Sequence, residues 1–185
     1  MNYQEAEYKY NQIRNKVFQK VETELMEKFQ KNIQLTPITT NALKIWQKEW
    51  YPSLAERKHF TEEELYWNWI KTQREMSKVP NRFEVAIWSK NILCALAIGK
   101  PSKGTTHNAI YIWQSSPFQH PLEGKIITIT LKTGMAYAKA LGKRHLVLIK
   151  PLKHLVKIYE RHGFIFKTAK HYPKHYCIKE VSYED

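Results

Sequence analysis

The sequence predicts an α/β protein in which helices flank a central sheet. Its 185 residues are enough for one domain with a sizeable core and too few for two. Hydrophobic residues make up 43% of the chain and aromatic residues 13%, which is typical of a globular protein. The hydrophobic periodicity alternates between helical and strand spacing in the order α–β–α–α–β–β–β–α–β–α–β–β.

The first 31 residues predict one long amphipathic helix. From Tyr3 to Lys31, apolar residues return at every fourth position with charged residues between them. Thr36-Pro37 interrupts this pattern, and the segment Ile33–Ile38 predicts a short first strand. We therefore expect residues 1–31 to be an exposed helical addition and residues 32–185 to form the domain itself. The apolar positions of the helix are Ile13, Val17, Val21, Leu25 and Phe29.

An aromatic-rich stretch from Leu43 to Met76 predicts two further helices, separated at Pro52-Ser53. Thr61 and Glu64 have the spacing of a capping box that would open the second helix. Its inner face is expected to carry Leu65, Trp69 and Thr72. We interpret the aromatic residues mainly as core, with some of them lining a substrate cleft as the alternative. They are Trp46, Trp50, Tyr51, Phe60, Tyr66, Trp67 and Trp69.

The second half of the chain predicts strands and two helices. Phe83–Trp88 and Ile92–Ile98 form a hairpin around Ser89-Lys90-Asn91, and the loop Gly99–Asn108 leads to the strand Ala109–Gln114. A helix ending at Leu141 is capped by Gly142, and the apolar strand His145–Ile149 follows. The remaining elements are a helix from Pro151 to Gly163 and the strands Phe164–Lys167 and Tyr176–Val181.

Positive charge is concentrated towards the C-terminus. The net charge is +13, and the segment from Lys132 to Lys179 has twelve Lys and Arg residues against one acidic residue, Glu160. Such a surface attracts polyanions, which include RNA, DNA, anionic lipid and a phosphorylated cofactor, and contact with tRNA or ribosomal RNA is one of these alternatives. Solubility alone is the alternative explanation for the lysines.

Two observations bear on localisation. No apolar segment approaches the roughly 18–20 residues of a membrane span, and residues 1–16 lack the apolar core of a signal peptide. Cys94 and Cys177 are far apart in strand-like segments, so we expect buried free thiols. The expected location is the cytoplasm, with export by a signal-free route left open.

The phrase Tyr159-Glu160-Arg161-His162-Gly163-Phe164, together with the order of the elements, resembles the GNAT superfamily of N-acetyltransferases. In that family a Tyr-x-x-x-Gly-Phe phrase ends the helix after the fifth strand, and an Ala-x-x-Leu-Gly phrase, here Ala138–Gly142, precedes that strand. The resemblance implies a divergent GNAT-like acyl-CoA N-acyltransferase fold. It has a central mixed, mostly antiparallel sheet flanked by helices, here with an extra N-terminal helix.

The resemblance also implies a cofactor site for acetyl-CoA or another acyl-CoA. The pyrophosphate-binding turn would be Pro121–Ile126, which opens the long helix. Gly124 fits the first glycine of the family pattern, whereas Pro121 and Ile126 depart from it. Lys125 and Thr128 are expected to supply compensating contacts. The full set of predicted cofactor-binding residues is Ile112, Trp113, Leu122, Glu123, Gly124, Lys125, Ile126 and Thr128.

For catalysis, the resemblance implies that Tyr159 protonates the departing thiolate as a general acid. A phenol is protonated at neutral pH, as that role requires. Glu84 is the first candidate for the general base. His107, His120 and Glu123 are weaker candidates. No metal is expected, because His171 and His175 lie in a loop that contains Pro173 and, with Cys177 beyond them, make only a weak ligand pattern.

Three hypotheses on function follow. The first is an acetyltransferase, or short-chain acyltransferase, that modifies a primary amine, with an RNA-linked amine as one case. The second is a GNAT-like module that has lost catalysis and binds nucleic acid or a protein. The third is an exported effector or a subunit that uses its N-terminal helix to meet a partner. Homodimerisation is left open in all three.

Overall fold

The computed structural model describes residues 1–56, 68–171 and 173–183. The helices are α1 Tyr3–Phe29, α2 Thr40–Ile45, α3 Tyr51–Glu56, α4 Trp69–Met76, α5 Ile126–Ala140 and α6 Val156–Arg161. The strands are β1 Gln34–Thr36, β2 Phe83–Ser89, β3 Ile92–Pro101, β4 His107–Ser115, β5 His145–Ile149, β6 Ile165–Thr168 and β7 His175–Glu180. Within the described ranges, no helix is long and apolar enough to cross a membrane.

The seven strands form one sheet in the order β1-β2-β3-β4-β5-β7-β6. Only β4 and β5 run parallel, and α5 lies between them in sequence as their crossover. All other neighbouring strands are antiparallel. The predicted mixed, mostly antiparallel sheet with flanking helices is therefore confirmed.

The hairpin between β2 and β3 turns where the sequence predicts it. Lys90 and Asn91 both have positive φ, 47° and 67°, as a two-residue type I′ turn requires. Asn32 holds this turn to the end of α1, since its Oδ1 accepts a hydrogen bond from the backbone N–H of Lys90 at 2.9 Å. β3 continues to Pro101, three residues beyond the predicted strand end.

β4 contains a β-bulge that decides which side chains face which layer. Ile98 of β3 lies opposite Ile112, but Gly99 lies opposite Ile110. Tyr111 is therefore the extra residue of the bulge. Glycine is required at position 99, because a Cβ there would lie 1.8 Å from the carbonyl oxygen of Ala109. As a result Ile110 and Trp113 both pack with the main core, which lies on the α5 side of the sheet.

We expected the N-terminal helix to be an exposed addition to the domain, and this prediction is wrong. Val17, Phe18, Val21 and Leu25 are buried in the same core cluster as the sheet and α5. α1 packs against α5 and is capped at its start by Asn2, whose side chain accepts from the N–H of Glu5. The opposite face of α1 remains in solvent.

The predicted break at Pro52-Ser53 is wrong, because the backbone stays helical from Thr40 to Glu56. A wide π-helical turn, Trp46–Trp50, precedes the proline, and Tyr51 N donates to Trp46 O across it. Proline has no N–H and clashes with the carbonyl four residues earlier, and a wider turn relieves both problems. The predicted capping box at Thr61 and Glu64, with Leu65, lies outside the described residues.

α4 begins at Trp69, where the side chain of Asn68 accepts from the N–H of Lys71 at 2.9 Å. Trp69 is 1% exposed, so its predicted place on the inner face is confirmed. It belongs to a second core cluster on the other side of the sheet, which we call the aromatic cluster. Its large buried members are Ile38, Trp46, Trp50, Leu54, Trp69, Trp88, Leu93, Leu96 and Ile98.

Two glycines end the helices of the second half, as the sequence predicts. Gly142 and Gly163 have φ of 66° and 83°, the left-handed conformation that favours glycine after a helix. The helix predicted after Pro151 starts later than expected, because Lys153–Leu155 forms a 3₁₀ turn before α6. β6 and β7 then pair at one edge of the sheet.

Candidate active site

A cleft opens where β4 and β5 separate. The two strands pair only from His107 to Ile110 on β4 and from His145 to Leu148 on β5. β4 continues to Ser115 beyond the end of that ladder. The resulting cleft has a volume of about 1070 Å³ and is lined by this part of β4, the start of α5 and residues 148–162.

The turn before α5 leaves several backbone donors available. Gly124 has φ of 72°, which lets the chain turn sharply into the helix. Among the described residues, none accepts a hydrogen bond from the N–H groups of Gly124, Ile126, Ile127 or Thr128. The first N–H groups of a helix attract anions, since the helix dipole adds to their own positive ends. Gly124, Ile127 and Thr128 also line the cleft, so an anion there meets free donors.

Ile126 replaces a small residue of the family pattern and is one of the residues that line the cleft. Its side chain is only 6% exposed and belongs to the main core. Leu122 is fully buried there too, so its side chain does not line the cleft as expected. Its N–H donates to Nδ1 of His120 at 3.2 Å and thereby helps to hold the turn.

Lys125 lies elsewhere than the sequence suggested. Its ammonium is 4.9 Å from the ring centroid of Phe29, at the end of α1, and the residue does not line the cleft. In this structure Lys125 is therefore not placed to supply the compensating contact to the cofactor that we expected. Glu123 does line the cleft, and its Oε1 accepts from the backbone N–H of His120 at 3.2 Å.

Trp113 and Tyr159 contact each other in the cleft wall. Their ring centroids are 5.8 Å apart, with the planes tilted by 39°. Tyr159 is 4% exposed, and burial, helped by the nearby Cys177, raises the pKa of its phenol well above the usual value. Its hydroxyl has no hydrogen-bond partner among the described residues. The structure thus brings a protonated, unpartnered phenol to the cleft.

Ile112 and Gln114 face the opposite layer from Trp113, because successive residues of a strand alternate between its two faces. Ile112 packs against the aromatic cluster, so it does not flank the cleft together with Trp113 as expected. Gln114 lies in the cleft wall, and its Oε1 accepts from the indole N–H of Trp46 and of Trp69. Gln114 is a site residue that the sequence did not lead us to expect. The available signal was one amide at the end of an otherwise apolar strand.

Glu84 does not reach the cleft. It is 1% exposed and takes part in what we call the Glu84 network, a group of buried and half-buried polar side chains at the start of β2. Arg82 Nη2 lies 2.7 Å from its Oε1, and Gln73 Nε2 donates to its Oε2 at 2.9 Å. With both oxygens engaged, Glu84 is badly placed to accept a proton from a substrate. The members of the network are Glu7, Arg14, Gln73, Arg82 and Glu84.

The histidine candidates fall in two places. His107 lies at the closed end of the β4–β5 ladder, opposite His145, and does not line the cleft. His120 and His162 do line it. Burial lowers the pKa of both, so both are neutral at pH 7. Nδ1 of His120 already accepts from Leu122, which leaves His162 as the less committed of the two.

No described residues form a cluster of three His, Cys, Asp or Glu side chains able to hold a metal ion. Cys177 is fully buried on β7, and burial raises the pKa of its thiol to about 11. Cys94 is also buried with a free thiol. The expectation of buried free thiols is therefore confirmed for both cysteines.

The sequence matches no protein-family model and no curated protein. Solved structures do share its fold. Mycobacterium smegmatis RimJ, solved with CoA-disulfide, has a TM-score of 0.58 at 10% identity and covers 80% of this chain and 82% of its own. The GNAT domain of S. lividans PAT has a TM-score of 0.57 at 12% identity, covering 80% of this chain and 90% of its own.

A GNAT-family acetyltransferase from Listeria monocytogenes gives a similar result, with a TM-score of 0.55, 12% identity, and coverage of 80% of this chain and 95% of its own. All three likenesses extend over four fifths of the chain at identities too low to carry a residue-by-residue argument. The strand order, the parting of β4 from β5 and these comparisons agree on one architecture. The chain has the fold of the GNAT superfamily, and it is a divergent example of that fold.

Proposed function

We propose that the protein is an N-acyltransferase that moves an acetyl or short acyl group from acyl-CoA to a primary amine. The observation that carries this proposal is the cleft between β4 and β5. It combines free backbone donors at the start of α5 with the unpartnered hydroxyl of Tyr159. This reaction requires the protein to bind the anionic cofactor and to donate a proton.

The residues present fit an acyl-CoA. The N–H groups of Gly124, Ile126, Ile127 and Thr128 would hold a pyrophosphate, and the side chain of Ile126 is largely buried in the core. β4 beyond Ile110 offers a strand edge for the amide-containing arm. When bound, the thioester supplies an activated acyl group.

Tyr159 would donate its proton to the departing thiolate. Its raised pKa keeps the phenol protonated at neutral pH, and a positioned acid of this kind accelerates a reaction by about 10²–10⁴-fold. The amine must also lose a proton. Because Glu84 is committed to its own network, that proton passes to solvent or to the neutral imidazole of His162.

The acceptor amine would belong to an anionic molecule, with an RNA-linked amine as the leading case. Lys150, His154 and His162 line the cleft. The surrounding segment, residues 150–175, has seven Lys and Arg residues and one acidic residue, Glu160. Phosphate contacts of this kind give binding that weakens steeply with salt, so RNA retention at low salt would support this part of the proposal.

Release of CoA thiol from acetyl-CoA in the presence of amines tests the activity. We expect Tyr159→Phe to lower kcat by about 10²-fold or more while the Kd for acetyl-CoA changes little. Tyr8→Phe, on the exposed face of α1, is the matched control and should leave kcat unchanged.

If the wild type neither binds nor consumes acetyl-CoA, the acyltransferase proposal is wrong and a binding module without catalysis remains. If Tyr159→Phe keeps full activity, Tyr159 is not the general acid of the reaction.

A further inference from the structure

Gln114 is a buried polar residue held between the cleft and the aromatic cluster. It is 7% exposed and directly follows Trp113 on β4. Its Oε1 accepts two hydrogen bonds, from Trp46 Nε1 at 3.1 Å and from Trp69 Nε1 at 2.8 Å. Both indoles are almost completely buried, so their N–H groups depend on this oxygen.

The two indole donors fix the direction in which the amide faces. An indole N–H only donates, and of the two amide atoms only the oxygen accepts. The flipped amide would set an NH₂ group against two donors and leave all of them without partners. The Nε2 of Gln114 therefore cannot exchange places with its oxygen.

This Nε2 is an available donor. Among the described residues, none accepts a hydrogen bond from it, yet it is not one of the fully buried polar atoms that lack a partner. Gln114 is one of the residues that line the cleft, and from this together with the incomplete burial of Nε2 we infer that the NH₂ group faces that space. A donor that is fixed in advance and left unpaired is what a site needs to select an oxygen on its ligand.

We propose that Gln114 is a specificity-determining residue of the acceptor site, and that its Nε2 donates to an oxygen of the amine substrate. The inference rests on the proposed acyl transfer. It defines the acceptor class as a primary amine with a carbonyl, carboxylate or phosphate oxygen near its nitrogen. A plain alkylamine would bury the donor without a partner and bind more weakly.

The carboxylates of the cleft argue in the same direction. Of the described residues that line it, Glu123 is the only acidic one, and its Oε1 is already engaged by the N–H of His120. A diamine or polyamine needs a carboxylate for its second ammonium group. The lining of this cleft instead offers amide and imidazole donors, which suit oxygen.

The test compares two amines of similar size and shape, glycinamide and isobutylamine, in which a carboxamide and an isopropyl group occupy the same place. The variant is Gln114→Glu, which still accepts from both indoles but cannot donate when ionised. At about pH 8 the two indole donors favour the ionised form. The measured quantity is the ratio of kcat/KM for the two amines, because their intrinsic reactivities cancel between wild type and variant.

We expect the glycinamide-to-isobutylamine ratio to fall about tenfold in Gln114→Glu, mostly through KM for glycinamide, with KM for acetyl-CoA unchanged. A residue that only anchored the two tryptophans would leave this ratio as it is. An unchanged ratio in a folded variant overturns the proposal. The indole N–H signals of Trp46 and Trp69 in nitrogen–proton correlation spectra report whether the variant is folded.

A second measurement on the wild type needs neither the variant nor turnover. Titration of glycinamide into the protein with CoA should shift the side-chain NH₂ signal of Gln114, and isobutylamine should not. No shift with glycinamide overturns the proposal even if acyl transfer proceeds. Failure of acetyl-CoA to bind would instead count against the proposed function, and the Gln114 signal would still decide the contact.

Discussion

Two polar regions of the sheet differ in how far their groups are paired, the Glu84 network at the start of β2 and the cleft beyond Ile110 on β4. In the network, the carboxylate of Glu84 forms an ion pair with Arg82 and accepts a hydrogen bond from Gln73. Arg82 also forms an ion pair with Glu7. In the cleft, the hydroxyl of Tyr159, the Nε2 of Gln114 and the first N–H groups of α5 have no partner among the described residues. Native proteins pair almost all buried polar groups. In the network, among the described residues, only Arg14 Nε and Gln73 Oε1 are buried without a partner, so this largely paired region supports the fold, whereas the unpaired groups of the cleft are available to a ligand.

The network also explains the place of the N-terminal helix. Arg14 on α1 is 1% exposed, and its Nη1 donates to the backbone oxygens of Pro80 at 2.9 Å and Arg82 at 3.0 Å. These bonds fasten the helix to the chain just before β2. A helix held by buried polar contacts and an apolar face is part of the folded unit.

The largest expected effect comes from neutralising the buried carboxylate. Glu84→Gln leaves Arg14 and Arg82 short of a counter-charge inside the protein, which should lower the free energy of unfolding by about 3–5 kcal/mol. Urea denaturation measures it. Glu24→Gln is the matched control, because the exposed Glu24–Lys132 pair should contribute less than about 1 kcal/mol.

A different outcome would reverse the comparison between the two regions. If Glu84→Gln kept its stability and lost kcat, Glu84 would be a general base after all.

A smaller effect is expected at the turn before α5. Gly124→Val places a β-branched residue at φ of 72°, which should cost about 1–2 kcal/mol of stability. It should also weaken acetyl-CoA binding about tenfold, because the same backbone would hold the pyrophosphate. Gly104→Val is the control, since Gly104 has φ of 67°, similar open space around it and a place outside the cleft lining.

Calorimetric titration with acetyl-CoA compares the two glycine variants. Equal affinity in both would show that the turn at Gly124 does not contact the cofactor.

The smallest effect concerns pH. Burial raises the pKa of Glu7, but the hydrogen bonds and charge of Arg82, together with the charge of Arg14, outweigh it and leave the pKa below its usual value. A carboxyl of this kind stabilises the fold above its unfolded pKa of about 4.3, and that contribution is lost as pH falls through the lower folded pKa. We therefore expect Glu7→Gln to flatten the loss of stability below about pH 5. An unchanged slope in urea midpoints between about pH 5 and 3 would contradict the pairing.

The sequence predicts most of the elements because their signals are local. The hairpin at Lys90-Asn91, the glycine after α5 and the strand His145–Ile149 each depend on a few neighbouring residues, and each is found where expected. The position of Tyr159 in the cleft follows from the family phrase and the strand order.

The rest depends on contacts between distant parts of the chain. The bulge that places Ile110 and Trp113 on the same face of the sheet arises opposite Gly99, on another strand. Glu84 looks like a free acid in sequence, and the arginine that completes its network, Arg14, is 70 positions away on α1. Pro52 lies inside a helix because a wide turn precedes it. None of these three features can be predicted from a local sequence pattern.

The most direct test of the cleft is to follow the backbone amide signals of the protein while acetyl-CoA is added. The account predicts the largest shifts at Gly124 and Ile126–Thr128 and along β4 from Ile112 to Ser115, with little change at Arg14 or Glu84. Shifts confined to other surfaces, or none at millimolar acetyl-CoA, would contradict the assignment of this cleft as an acyl-CoA site.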